Sequence, residues 1–118
     1  ASGIMVAEAL KAAESLAGQG ISAAVLNTFT WKPIDDEALA KYSKKCGCFV
    51  TAENHNTIGG LGSAVAASLA KNAPAPVEMV GVHDEFGQVG TEAFLRETYK
   101  LTAAEIEAAA KRAIARKA

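Results

Sequence analysis

Amphipathic helical stretches alternate with short apolar runs along this chain, and that order restricts its fold more than any other feature. Residues 4–17 repeat apolar side chains at three- and four-residue steps, as one face of a helix does. Residues 21–26 form a short apolar run between turn signals, as a buried strand does. The other predicted segments are strands at residues 48–52 and 77–82 and helices between Asp35 and Gly47, at 60–71, from 91 onwards and at 103–116.

Helices that alternate with continuously apolar strands indicate a parallel sheet covered on both faces. The order therefore predicts an α/β fold, a three-layer α/β/α sandwich with a mostly parallel sheet. The length is that of a single domain, and the sequence contains no repeat and no dividing linker, so residues 1–118 are predicted to share one core.

Two features at the start of the chain bear on the sheet. Only three residues precede the first predicted helix, whereas a helix in this class of fold normally follows a strand. Three strands also make a thin sheet for four helices. We therefore expect one or more strands to come from residues before Ala1 or from another chain.

Helix ends have specific signals. Asp35 can accept a hydrogen bond from an amide of the second helix, and Gly47, after two lysines, is a typical stop. Thr102 and Glu105 form a capping box before the last helix, in which each side chain can satisfy an exposed backbone donor.

Charge and hydropathy argue against several function classes. The 12 basic and 13 acidic side chains nearly cancel, so no strong field favours nucleic acid or anionic lipid. No apolar stretch approaches the roughly 20 residues that span a bilayer, and no export signal is recognisable, which predicts a soluble, cytoplasmic protein. Cys46 and Cys48 are too few for a disulfide framework or a structural zinc site, and we expect reduced thiols.

Polar side chains follow each predicted strand, where ligands bind in open parallel sheets. His55 and His83 each lie within two residues of a carboxylate, an arrangement that can transfer protons. Loop ends are polar in most proteins, however, so catalysis by either histidine within this chain is not the interpretation we favour. His55 is the better candidate for a role at an interface or cleft rim, because it lies beside a glycine-rich turn.

That turn contains Gly59, Gly60 and Gly62 at a predicted helix start. Amides without a neighbouring Cβ can point outward there, and a helix N-terminus attracts anions, so a small-anion or nucleotide site at residues 59–63 is one hypothesis. The spacing is neither G-x-G-x-x-G, because position 65 is Val65, nor a P-loop, because no G-K-[ST] follows. We favour the alternative, a tight turn that packs helix closely on sheet.

Two loops carry large aromatic side chains outside the predicted elements. Phe86 lies in a loop with two glycines, and Phe29 and Trp31 lie in a loop that ends near Pro33. Aromatic side chains in such positions often anchor interfaces. Contact with a partner and packing within the domain both remain open for these loops.

Four blocks of the sequence carry a family resemblance. They are residues 3–13 (GIMVAEALKAA), 31–35 (WKPID), 50–65 (VTAENHNTIGGLGSAV) and 86–91 (FGQVGT). In this order they resemble the C-terminal domain of transketolases over essentially the whole chain. The likeness is strongest to the small C-terminal subunit of split transketolases.

The resemblance implies part of a thiamine diphosphate-dependent transferase that moves a two-carbon ketol unit between sugar phosphates, as in the pentose phosphate pathway. In that family the cofactor and its divalent metal lie between an N-terminal and a middle domain, so neither is expected on this chain. The implied partners are those thiamine-binding domains, or the subunit that carries them, in a homodimeric parent enzyme. The implied role of this domain is support and dimer contact, and the isolated chain is expected to be inactive.

The positions that match the family motif are Glu53, His55, Gly59, Gly60 and Gly62. The resemblance implies a place for them at a cleft rim or dimer contact, with no catalytic residue in this chain. Three alternatives stay open. They are the C-terminal domain of a deoxyxylulose-phosphate synthase, that of the E1 β subunit of a 2-oxoacid dehydrogenase, and a regulatory module that binds an anion at the glycine turn.

Overall fold

The computed structural model of the chain describes residues 1–117. The elements within this range are α1 (Met5–Ala17), α2 (Asp36–Cys46), β1 (Phe49–Asn56), α3 (Leu61–Asn72), β2 (Val77–Val82), α4 (Glu92–Thr98) and α5 (Ala103–Ala115). β1 and β2 are parallel neighbours, with Phe49 opposite Val77 and Ala52 opposite Val80. The α/β class and the parallel strand order are therefore as predicted.

Helices pack on both faces of this sheet because successive side chains of a strand point to opposite sides. One face carries α1 and α5, and its buried cluster consists of Met5, Ala9, Ala12, Ala52, Val80, Leu101, Ile106 and Ala109. The other face carries α2 and α3, and its buried cluster consists of Leu39, Leu61, Val65 and Leu69. The alanines of α1 and α5 leave little side-chain bulk between these two helices, so they pack against each other as well as on the sheet.

The predicted helix ends are confirmed. Asp35 Oδ1 accepts a hydrogen bond from Ala38 N at 2.9 Å, and Gly47 ends α2 with a left-handed φ of 79°. The Thr102 hydroxyl accepts from Glu105 N at 3.2 Å at the start of α5, but the reciprocal half of the predicted capping box is not formed, because the Glu105 carboxylate accepts from Arg112 instead. Local capping chemistry thus fixes where these helices begin and end.

The strand predicted at residues 21–26 is wrong for the described part of the chain, where that segment has no strand assignment. Its apolar side chains do contact the core, since Val25 and Leu26 each pack against one of the two buried clusters. A strand needs a hydrogen-bonded neighbour, however, and a cavity separates most of this segment from β1. The sheet of residues 1–117 accordingly has the order β1-β2, two strands and not three.

In the same range, no helix has both the length and the hydropathy that crossing a bilayer requires.

Candidate functional site at the carboxyl end of the sheet

The end of β1 carries a fully buried carboxylate. Glu53 is 0% exposed, and its two oxygens accept hydrogen bonds from the first turn of α3, Oε2 from Leu61 N at 2.7 Å and Oε1 from Gly62 N at 2.9 Å. The first amides of a helix have no partner within it and form the positive end of its dipole. Glu53 therefore neutralises the N-terminus of α3 from inside the domain.

The glycines of the turn make this contact possible. A Cβ on Gly60 would collide with Glu53 Oε2 and with the backbone oxygen of Asn56. A Cβ on Gly62 would lie 2.7 Å from Met79 Sδ, which is closer than such atoms approach, and Gly59 has a left-handed φ of +77°. The arrangement is the one that close packing of α3 on the sheet requires.

The remaining polar groups of the turn bond to each other. Gly59 N donates to Ser63 Oγ at 3.0 Å, and the Ser63 hydroxyl donates to Thr57 O at 2.8 Å. Ile58 N donates to Asn56 Oδ1 at 2.9 Å. Side chains of the loop thus hold its backbone in place.

The two histidines lie in different surroundings. The His55 side chain is 56% exposed, its Nδ1 lies 2.8 Å from Asn56 O and 3.9 Å from Glu53 Oε2, and its ring meets Trp31 edge-on with the ring centres 5.9 Å apart. His83 instead lines a polar cavity of about 220 Å³ with side chains that include Tyr99. His55 thereby joins the loop around Trp31 to the end of β1.

The residues at this end of the sheet do not fit the diphosphate and metal of a thiamine cofactor. A diphosphate at the start of α3 would find the amides of Leu61 and Gly62 bonded to Glu53 and would meet its negative charge. Within residues 1–117, no group of three or more His, Cys, Asp or Glu side chains is arranged to hold a metal ion. Cys46 and Cys48 are free, and burial raises the pKa of the Cys48 thiol.

Four large apolar side chains near this end of the sheet are exposed to solvent. Phe86 and Val89 are 100% exposed, Phe29 is 89% exposed and Ile58 is 69% exposed. Ile58 follows β1, and Phe86 and Val89 follow β2. Because the two strands are parallel, both loops lie at the carboxyl end of the sheet. Of the two aromatic loops, Trp31 packs partly on the core, whereas the side chains of Phe29 and Phe86 do not fold back on the domain.

A second buried carboxylate was missed in the sequence. Glu8 is 8% exposed, and its Oε2 accepts from Ala103 N at 2.9 Å at the start of α5. Its Oε1 accepts from Lys11 Nζ at 3.0 Å and from Arg96 Nη1 at 3.2 Å. The available signal was its position, three residues after Met5 on the apolar face of α1.

Known proteins resemble this chain closely. The family model described as "Transketolase, C-terminal domain" matches residues 1–106. The chain is 56% identical over 117 residues to the 6-deoxy-6-sulfo-D-fructose transketolase subunit SqwH of Clostridium sp. (strain MSTE9), which covers 99% of this chain and 36% of that protein. It is 40% identical over 105 residues to the 1-deoxy-D-xylulose-5-phosphate synthase of Heliobacterium modesticaldum (strain ATCC 51547 / Ice1), which covers 88% of this chain and 16% of that protein.

Among solved structures, one described as "Split gene transketolase, inactive beta4 tetramer" superposes with a TM-score of 0.95. Its sequence is 47% identical, and the match covers 99% of this chain and 38% of that chain. This chain therefore spans little more than a third of the length of the two transketolase subunits, and less of the synthase.

Proposed function

Because the chain belongs to the transketolase C-terminal domain family, we propose that it is the support and contact domain of a thiamine diphosphate-dependent transketolase. The parent enzyme, in this proposal, is a cytoplasmic homodimer or larger assembly that transfers a two-carbon ketol unit between sugar phosphates. The chemistry takes place in the thiamine-binding domains or subunit, and this chain contributes no catalytic group. The likeness to transketolase subunits at 56% and 47% identity, against 40% for the synthase, favours transketolase over its nearest alternative.

One observation carries the proposal, and it is the contrast between polar and apolar groups at the carboxyl end of the sheet. The most buried polar group, Glu53, is bonded within the domain, whereas Phe86 and Val89 are fully exposed. Exposed aromatic and apolar side chains at the centre of a surface anchor protein interfaces. A surface of this kind suits contact with another domain or subunit better than it suits a reaction.

The names of the relatives support a location outside this chain for substrate choice. One relative is named for 6-deoxy-6-sulfo-D-fructose and another for 1-deoxy-D-xylulose 5-phosphate, yet both contain a domain similar to this one. A domain shared by enzymes with different substrates is a poor place for the groups that distinguish them. The sugars used by the parent enzyme, and a place in the pentose phosphate pathway, stay predictions.

The double substitution Phe86→Ser and Val89→Ser tests the contact role. We expect it to weaken association between the subunit that carries this domain and its thiamine-binding partner by about tenfold or more, as measured by sedimentation velocity. Ketol transfer should fall at low protein concentration and recover at high concentration. Leu10→Ser on α1, where the leucine is 56% exposed, is the matched control and should leave association unchanged.

Unchanged association together with lost activity would contradict the contact role, because it would place these side chains in the reaction. Lost association that high concentration does not restore would instead show that the loop holds the domain itself together. Circular dichroism of each variant distinguishes these two results.

The anion hypothesis for Gly59, Gly60 and Gly62 has a separate test. Phosphate and sulfate are titrated to millimolar concentration while the amide resonances of Leu61 and Gly62 are followed by NMR. We expect no saturable shift, because Glu53 already accepts from both amides. A saturable shift at these two amides would instead support a regulatory anion site.

A further inference from the structure

The loop of residues 83–90, the Phe86 loop, connects β2 to α4 and carries Phe86 and Val89. All of its residues are exposed, and Asp84 near its start has a left-handed φ of 53°, which breaks the extended course of the strand before it. Because its side chains are exposed, their burial does not fix its conformation. The conformation therefore depends on the contacts that its backbone makes.

A cavity of about 220 Å³ separates the first half of the Phe86 loop from the end of α4. His83 and Glu85 line it from the loop, and Thr98 and Lys100 line it from the end of the helix. The atoms around a cavity lack neighbours on one side and lose the attraction that close contact would give. Packing against α4 therefore does not hold this half of the loop in place.

A hydrogen bond from the end of α4 reaches the middle of the loop. The Tyr99 hydroxyl donates to Phe86 O at 2.9 Å. In the described residues 1–117, this is the one hydrogen bond between protein groups that joins residues 83–89 to another part of the domain. The position of Tyr99 thus fixes the backbone of the residue whose side chain is fully exposed.

Tyr99 is itself held firmly. Its ring packs against the buried cluster of α1 and α5, and its backbone N donates to Leu95 O at 3.0 Å. Lys100 follows with a left-handed φ of 56°, which ends the helical course, and the next residue, Leu101, is buried in the core. The hydroxyl is therefore a donor that the core and the helix place together.

The other end of the loop has a contact of a different kind. A Cβ on Gly90 would lie 2.6 Å from Phe94 Cδ1, so the phenylalanine ring lies directly against the glycine backbone. The Thr91 hydroxyl accepts from Phe94 N at 3.2 Å and fixes the start of α4 beside it. Residues 87–89 consequently lie between two fixed points, and loss of the Tyr99 bond would leave them with one.

We propose that Tyr99 is a positioning residue for the contact surface of this domain, a role that rests on the contact function proposed above. Its hydroxyl holds the Phe86 loop, in the free domain, in the conformation in which Phe86 and Val89 meet an apolar surface of the partner. Ordering a loop during binding reduces affinity, whereas a loop that is already ordered avoids this loss. The hydroxyl therefore raises affinity without contacting the partner.

Tyr99→Phe tests this role, because it removes the hydroxyl and keeps the ring that packs on the core. We expect association between the subunit that carries this domain and its thiamine-binding partner to weaken by about fivefold in sedimentation velocity, the effect of one hydrogen bond. Backbone NMR order parameters at Gly87 and Gln88 should fall to about 0.6 or lower, the range of a flexible backbone. Tyr42→Phe, at the other tyrosine of the chain, is the matched control and should change neither measurement.

A combined variant shows whether the hydroxyl acts through the exposed side chains. Tyr99→Phe is added to the double substitution Phe86→Ser and Val89→Ser. If Tyr99 acts through these two side chains, the triple variant should associate no more weakly than the double variant. A further loss of about fivefold would overturn the positioning role, because the hydroxyl would then contact the partner directly.

Unchanged association of Tyr99→Phe would overturn the positioning role, as would weaker association with unchanged order parameters. A lower midpoint of thermal unfolding with normal order in the loop would overturn it too, because Tyr99 would then support the fold alone. An effect of the double substitution without one of Tyr99→Phe contradicts the positioning role and leaves the contact function standing. No effect of either variant on association contradicts the contact function itself.

Discussion

Two buried carboxylates, Glu53 and Glu8, neutralise helix N-termini in this domain by different means. Glu53 is bonded to two amides of α3, and the ring nitrogen Nδ1 of His55 lies 3.9 Å from its Oε2. Glu8 is bonded to a single amide of α5 and to two cations, Lys11 and Arg96. Backbone donors thus hold the first carboxylate, whereas charged side chains hold the second.

The difference affects how an acidic residue in a family motif is interpreted. Glu53 lies in the glycine-rich block, one of the four blocks that carry the family resemblance, and by motif alone it is a candidate binding residue. Glu8 lies in a helix, outside that turn, and has the same structural task. Since both carboxylates accept from helix amides, the bonding of Glu53 supports a structural explanation for its place in the motif.

The largest expected effect comes from removing the carboxylate of Glu53. Glu53→Ala leaves two buried amides without an acceptor, at about 1–3 kcal/mol each, so we expect the free energy of unfolding to fall by about 3 kcal/mol or more. Urea unfolding followed by circular dichroism measures it. Glu14→Ala, at an exposed position of α1, is the control and should change stability by less than about 0.5 kcal/mol.

Equal, small effects of Glu53→Ala and Glu14→Ala would contradict the internal role of Glu53. Water or a bound anion would then have to accept hydrogen bonds from the amides of Leu61 and Gly62. A bound anion there would support the hypothesis of an anion site at the glycine turn. Repeating the measurement with added phosphate distinguishes these two replacements.

The next largest effect is expected from a substitution at Gly60, which disturbs the contact between Glu53 and the start of α3 from the side of the helix. Gly60→Ala places a methyl group against Glu53 Oε2 and Asn56 O, and overpacking of this kind typically costs about 1–3 kcal/mol. Gly87→Ala is the matched control, because a Cβ there meets nothing within 4 Å. We expect it to be neutral or slightly stabilising in thermal unfolding. A tolerated Gly60→Ala would mean that the carboxylate moves freely, contrary to its two amide bonds.

Sequence reasoning was sufficient where local chemistry decides the structure. The caps at Asp35, Gly47 and Thr102 depend on residues within four positions, and all three were predicted. The bond from Glu53 to α3 spans eight residues and depends on how the helix packs on the sheet, so the glycine pattern indicated a turn without indicating its acceptor. Glu8 was missed because its partner amide at Ala103 is 95 positions away.

The strand predicted at residues 21–26 shows the same limit for backbone structure. Its apolar run correctly indicated contact with the core, since Val25 and Leu26 pack there. Strand pairing also needs a neighbour on the other side of the cavity, and no property of the run itself supplies one. Composition thus predicts burial, whereas pairing depends on residues elsewhere.

Glu8→Gln tests the difference between Glu8 and Glu53, because the contribution of Glu8 to stability should depend on salt and pH. The glutamine keeps an acceptor for Ala103 N but loses the charged bonds to Lys11 and Arg96, so we expect a loss of about 1–2 kcal/mol at low salt. The bond from Lys11 and that from Ala103 N lower the pKa of Glu8 against the effect of burial. Its contribution is therefore complete above the usual pKa of 4.5 and disappears as pH falls through the lowered value.

Unfolding by urea at low and at high salt measures this difference. The cost of Glu8→Gln should shrink as salt screens its cations, whereas the cost of Glu53→Ala should change little, because backbone amides are its partners. Equal salt dependence of the two variants would show that the distinction between the carboxylates is wrong.

The smallest expected effect concerns Glu107, and it tests whether hydrogen bonds at the surface lower the pKa of a carboxylate. Glu107, on α5, accepts from Gln19 Nε2 at 2.7 Å, Ser15 Oγ at 2.8 Å and Lys111 Nζ at 3.1 Å, and these bonds lower its pKa from 4.5 to about 2. Because the folded value is depressed, its contribution is present above pH 4.5 and disappears as pH falls toward 2. Glu107→Gln should lower stability above pH 4.5, where this contribution is present, and should flatten the pH dependence of stability between pH 4.5 and 2. Urea midpoints between pH 2 and 7 measure this, and the substitution Glu14→Gln, at a position without such bonds, should leave the slope intact. If Glu107→Gln also leaves the slope intact, hydrogen bonds at the surface do not hold the Glu107 carboxylate ionised.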